Sequence, residues 1–223
     1  MSETAINVLA IAIFLMTLSV LLGPMIHLSP LIPSVMTLTL LGLVTVDQWG
    51  WQGQGTALLL GSFATKNQRQ RVLHHEAGHF LMAYLMGIPI QDYSLSAWEA
   101  FRKGRSGQGG VEFVPQDLTE PLQDWQQRPL LLERWAMVYL GGIAAEQVIY
   151  GQAVGGQEDR QQLYALFQQA GFPPSQYPAK ESWALLQAKN RIQEHRPQYE
   201  LLVQALAERQ SVEVCYRILQ GLP

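Results

Sequence analysis

The sequence predicts a mainly α-helical protein in two parts: an N-terminal hairpin of two transmembrane helices, and an α-helical domain with a small β element. Three observations carry this prediction. The first 65 residues hold only Glu3 and Asp47 as charged side chains, and all 15 basic residues begin at Lys66. Two long apolar runs fill that charge-poor stretch. Beyond it, apolar residues recur at the three- and four-residue spacing of helices. The expected units are therefore a hairpin over 1–48, an interfacial linker over 49–66 and a folded domain over 67–223.

Residues Ala5–Leu22 are apolar apart from Asn7, Thr17 and Ser19. These 18 residues are about the minimum that crosses a hydrocarbon core as a helix. A second run, Pro24–Val46, has His27 as its only ionisable residue. Gly23-Pro24 and the prolines at 30 and 33 break the chain between them, so helices near 5–23 and 31–47 are expected. Trp49 and Trp51 follow, where amphipathic rings favour a membrane interface. Thr56–Ala64 is too short to span, and is expected to lie in the interface or dock on the domain.

A cleaved leader fits less well, because no Lys or Arg precedes the first run and no small-x-small site clearly follows it. Lys66, Arg69 and Arg71 are the first cations. By the positive-inside rule they place the domain on the cytoplasmic side or its organellar equivalent. The net charge of −3 gives no reason to expect a nucleic-acid partner. Cys215 is the single cysteine, so no intrachain disulfide can form, and its apolar helical setting reads as a buried thiol.

The most informative segment is His75-Glu76-Ala77-Gly78-His79, an HExxH pattern. On a helix, residues four apart share a face, so both imidazoles can meet one metal ion. Zinc suits two neutral imidazoles plus a carboxylate, with a fourth position left for water. Glu76 lies one step round the helix, where it reaches the water rather than the metal and can accept its proton. Gly87 and Pro89 supply a helix stop. With 5 histidines in 223 residues, chance yields roughly 0.006 such matches. His74 points away from the ligand face and reads as supporting structure. The third ligand is open among the downstream carboxylates Glu99, Glu112, Glu146 and Asp159.

Three blocks in order are then suggestive: HEAGH at 75–79, Gly141-Gly142-Ile143-Ala144-Ala145-Glu146, and Gly155-Gly156-Gln157-Glu158-Asp159. This trio resembles the peptidase domain of the FtsH-type membrane zinc proteases, over some 150 residues from about Arg69. The resemblance implies a zincin-type fold, Glu76 as catalytic base, and Zn2+ held by His75, His79 and Asp159. Glu146 is the rival ligand, or else orients a histidine. Gly109–Pro115 takes the place of a strand that lines the family's cleft, and could pair with Ile88–Leu95. The chain departs from the family at Ile143, Glu158 and Arg160, and in the proline-bearing stretch 171–178. No G-x-x-x-x-G-K-[ST] occurs, so the resemblance is to ATPase-less members.

What this implies is a metalloendopeptidase acting on membrane or membrane-proximal proteins. Its expected partners are protein substrates, membrane lipid and either further copies of itself (a homo-oligomer) or an ATPase-bearing FtsH-type complex. The alternative is a non-proteolytic, chaperone-like partner subunit of such complexes. An intramembrane protease is disfavoured, because Arg69, Arg71 and His74 sit within one helix length of the motif.

Helical patterns are expected over Pro121–Tyr150, Arg160–Ala170, Ser182–Glu194 and Gln198–Leu219, with Pro197 separating the last two. Trp183, Leu185, Leu186, Ile192, Leu201, Leu202, Leu206, Val214 and Ile218 are expected in the core. Phe101–Gly110 is expected as a flexible basic loop near the cleft, and His195 as a solvated helix end.

Overall fold

The computed structural model describes residues 3–22, 29, 31–50, 65–104, 109–114 and 129–222. What is expected of Trp51, Thr56–Ala64, 105–108 and 115–128 lies outside these residues.

Two N-terminal helices, α1 (Glu3–Leu22) and α2 (Leu31–Gly50), pack on one another. Pro33 falls in the first turn of α2, where a missing N–H costs no helical bond. The transmembrane character expected of this pair gains no support here. Among the described residues no helix is long and apolar enough to cross a membrane. The pair does leave large apolar side chains uncovered, Phe14 at 64% and Leu21 at 72% exposure among them.

The folded domain begins at α3 (Lys66–Met86). Thr65 caps it: its hydroxyl accepts the Gln68 N–H, and the Gln68 side chain accepts the Thr65 N–H at 2.8 Å. Gly87 ends it in the left-handed conformation at φ 70°, with the Ile88 N–H returning to the Ala83 carbonyl. The chain reverses into β1 (Ile90–Ser94), crosses a short helix α4 (Ala97–Arg102), and returns as β2 (Gly110–Phe113). The strands pair antiparallel, Tyr93 opposite Val111, with a bulge between Ile90 and Asp92. The expected small sheet is therefore present, while Phe101 and Arg102 belong to α4 instead of a loop.

The central element is α5 (Pro129–Tyr150), flanked by α3, α6 (Gln157–Gln169) and α7 (Tyr177–Glu194). It is apolar nearly all round, as a helix buried on several sides must be, with Trp135, Leu140 and Ile143 fully covered. Its closest neighbour is α3. A Cβ on Gly78 would stand 2.2 Å from the Gly141 carbonyl oxygen, and a Cβ on Gly141 2.7 Å from that of Gly78. Only two glycines let these backbones approach so closely.

The remaining helices close the domain. α8 (Arg196–Ala207) lies against α3, and α9 (Val212–Leu219) against α8 and β1, where the Tyr216 hydroxyl accepts the Ile90 N–H at 2.9 Å. The expected single stretch over Gln198–Leu219 is thus two helices, broken where Arg209 takes a left-handed φ of 60°. Cys215 is buried as expected, and burial pushes its thiol up to about 11. Ile192, Leu202 and Leu206 are core residues. Trp183, Leu186 and Leu201 are not, at 43%, 53% and 51% exposure. Periodicity marks apolar faces but does not say which of them a neighbour covers.

Candidate metal centre

Two ladders of residues four apart face each other across the α3–α5 contact. On α3 the ladder is Arg71, His75 and His79; on α5 it is Val138, Gly142, Glu146 and Tyr150. Four-residue steps keep each series on one face. The helices run in opposite senses, so the rungs pair in reverse order. His79 Nδ1 lies 2.7 Å from the Val138 carbonyl oxygen. His75 Nδ1 lies 2.8 Å from Glu146 Oε1. Arg71 donates to Glu146 Oε2 at 3.0 Å and lies over the Tyr150 ring at 4.3 Å.

The outer nitrogen of each imidazole is thereby engaged, and both inner nitrogens turn to one point. His75 Nε2 and His79 Nε2 are 3.1 Å apart. Asp159, in the first turn of α6, completes the group, with Oδ2 3.0 Å from His75 Nε2 and Oδ1 3.4 Å from His79 Nε2. The three residues form a cluster that could hold a metal ion. Gly142 makes room for them: a Cβ there would stand 2.4 Å from His75 Nε2 and 2.5 Å from His79 Nε2. Gly156, at φ 93°, turns the chain into α6 where a Cβ would strike Ile143 at 2.2 Å.

Contacts within the cluster shift its ionisable groups. Burial alone would lower His75, but hydrogen bonds to Asp159 and Glu146, with the charge of Glu76, raise it to about 10. Burial would raise Glu146, yet the His75 and Val154 hydrogen bonds and the Arg71 contact hold it down to about 2. Asp159 is likewise lowered; burial opposes this, and the His79 charge and the hydrogen bond from His75 prevail.

Glu76 sits beside this group at 8% exposure. Burial, the largest influence, raises its carboxyl, while the charges of His79 and His75 oppose the shift. Its Oε2 has no hydrogen-bond partner among the described residues. β2 borders it: a Cβ on Gly110 would stand 3.9 Å from Glu76 Oε2. A buried carboxylate oxygen with nothing to bond is unusual, and fits a group whose partner is a reactant.

His75, His79 and Asp159 converge, Glu76 stands alongside, and Glu146 lies on the far side of His75. Glu99 is remote from the cluster, binding the Leu95 N–H and Arg209. His74 anchors α3 to α8: the Tyr199 hydroxyl donates to the His74 carbonyl and accepts from Nδ1 at 2.9 Å. Arg71, Val138 and Gly142 were not singled out from the sequence as site residues, although the four-residue spacing of 138, 142 and 146 was there to be read.

No family model matches the chain, and no curated protein matches it.

Proposed function

We propose that this protein is a membrane-anchored zinc metalloendopeptidase of FtsH-like type, hydrolysing peptide bonds of membrane or membrane-proximal proteins. The observation that carries the reading is the convergence of His75, His79 and Asp159 beside a buried Glu76 whose Oε2 is unbonded.

Two imidazoles and one carboxylate are the donor set of an open catalytic zinc site. Bonds of about 2.0–2.1 Å in tetrahedral array put neighbouring donors roughly 3.3 Å apart. The separations here are 3.0, 3.1 and 3.4 Å. Glu146 and the Val138 carbonyl each take the outer N–H of one histidine, which fixes ring orientation.

Bound zinc supplies a Lewis acid that polarises a carbonyl and acidifies water. Glu76 provides the base: Oε2 takes a proton as water adds to the scissile carbonyl, and returns it to the departing amine. Burial favours this, since it raises the carboxyl above its ordinary value and makes the protonated form easier to reach. Among the described strands β2 has β1 on one side only, so an extended peptide can pair along its other edge beside Glu76.

Anchoring rests on the two apolar runs of the sequence. It is supported by the uncovered Phe14, Leu21 and Leu38, and by Thr17, Thr39 and Thr45, whose hydroxyls bond back to their own helices at 2.8 Å.

The test is cleavage of casein or a denatured membrane protein by the detergent-purified chain. Cleavage should stop on adding a chelator and in Glu76→Gln. Activity that stays near the wild-type level in Glu76→Gln sinks the proposal.

A further inference from the structure

Arg71 is the permanently charged cation of the ladder, and its surroundings assign it a task. It lies one turn before His75 on α3. The partner it reaches, Glu146, is 3% exposed. Each oxygen of that carboxylate is committed. Oε1 takes His75 Nδ1; Oε2 takes Arg71 Nη1 and the Val154 N–H, each at 3.0 Å. The guanidinium is placed in turn by the Tyr150 ring at 4.3 Å and by the Gln152 carbonyl at 3.4 Å.

We propose that Arg71 is a positioning residue for the metal centre, acting on His75 through Glu146. This rests on the metal-centre reading above and deepens it. The reasoning is one of charge and direction. A ligating imidazole is neutral, so His75 in a loaded centre gives Glu146 an N–H but no charge. Leaving a buried carboxylate without a cation is expensive, and Arg71 is the cation in contact with it. By occupying Oε2 it also leaves Oε1 as the oxygen that faces His75, which sets the ring so that Nε2 turns toward His79 and Asp159.

Arg71 also answers a local need of α5. That helix has no basic residue in its last turn, where the carbonyl ends favour a positive charge. Arg71 brings one across from α3 and lays it on Tyr150, the last residue of α5. The cation that closes the helix end and the cation that holds Glu146 are the same group.

The test measures metal affinity by competition with a chromogenic chelator, and the ligand field by the visible spectrum of the Co2+-loaded chain. It uses the full chain in detergent, with Arg71→Ala, Arg71→Lys, Glu146→Gln and the Arg71→Ala/Glu146→Gln pair. Arg71→Ala should bind Zn2+ about 10- to 100-fold more weakly, with a shifted Co2+ spectrum. Arg71→Lys should recover part of the loss. The paired variant should fall little below Glu146→Gln alone, because both changes break one chain of contacts. Should Arg71→Ala not fold, Arg71→Gln against Arg71→Lys carries the same comparison. Affinity within about twofold of wild type in Arg71→Ala overturns the inference, as do losses that multiply in the pair. A folded wild type that binds no metal overturns the metal-centre reading itself, and the inference with it.

Discussion

His79 Nδ1 lies 2.7 Å from the backbone carbonyl oxygen of Val138. A carbonyl only accepts, so this nitrogen carries the proton, and in the neutral ring the lone pair is on Nε2. The backbone of α5 thus selects the tautomer of His79 that can ligate. Val138 does this by position alone, so any residue there with an undistorted helix would serve. The same rung on His75 uses a carboxylate, Glu146, and there the side chain's identity matters.

Glu76→Gln separates chemistry from binding. Gln keeps the shape and cannot take a proton, so peptidase activity should fall by about 10²–10⁴-fold. Metal content should stay at the wild-type level, because Glu76 is outside the donor cluster. Elemental analysis beside a casein assay checks both. Loss of metal in this variant would place Glu76 among the ligands and contradict its assigned role.

Gly142→Ala adds one methyl where there is no room. Its Cβ would stand 2.4 Å from His75 Nε2 and 2.5 Å from His79 Nε2. Both rings must swing away, so metal affinity should drop at least about tenfold, with roughly 1–3 kcal/mol lost from stability. Chelator competition and thermal melting read the two effects. Wild-type affinity in this variant would mean that the rings do not rest on α5.

Tyr199→Phe tests the fastening of α3 to α8. It removes the hydroxyl that joins His74 Nδ1 and the His74 carbonyl. Stability should fall by about 1–2 kcal/mol. Metal affinity should change less than about threefold, since the ligand rungs face α5 instead of α8. A large metal effect would bring His74 into the site.

The pH dependence follows from the shifts of His75 and Glu146. The folded-state pKa of His75 is raised to about 10. Its contribution to the metal-free fold is therefore full below the ordinary histidine value of 6.5 and is lost as pH rises through about 10. Glu146 is depressed to about 2, so its contribution is present above the ordinary 4.5 and is lost as pH falls through about 2. At pH 7 a metal must displace the His75 proton, while Asp159 and Glu146 are already ionised. Binding should release about one proton per metal, and affinity should rise about tenfold per pH unit from 7 toward 10. Calorimetry in buffers of different ionisation enthalpy measures the proton count; a count of zero contradicts the assignment.

How far the site can be read from sequence depends on which contacts are local. The HExxH face and the stop at Gly87 are both written within α3, and each is where the sequence places it; the Thr65 cap, equally local, is a finding of the structure. The short sheet follows from the resemblance, with which the local apolar–polar alternation is compatible. Asp159 is 80 residues beyond His79 and nothing local marks it, so it came only from a resemblance between ordered motifs. In the sequence Arg71 reads as a topological charge. Its partner, Glu146, is 75 residues away and meets it only because Gly78 and Gly141 let two helices touch. The exposed Trp183, Leu186 and Leu201 show the converse, since an apolar stripe does not record whether a neighbour covers it.

The measurement that bears most directly on the central claim is the zinc content of the detergent-purified chain, wild type beside His79→Ala, Asp159→Ala and Glu76→Gln. The account predicts near one zinc per wild-type chain, loss in His79→Ala, weakened retention in Asp159→Ala and full retention in Glu76→Gln. Folded wild-type protein that takes up no zinc, or zinc held equally well without His79, would contradict it.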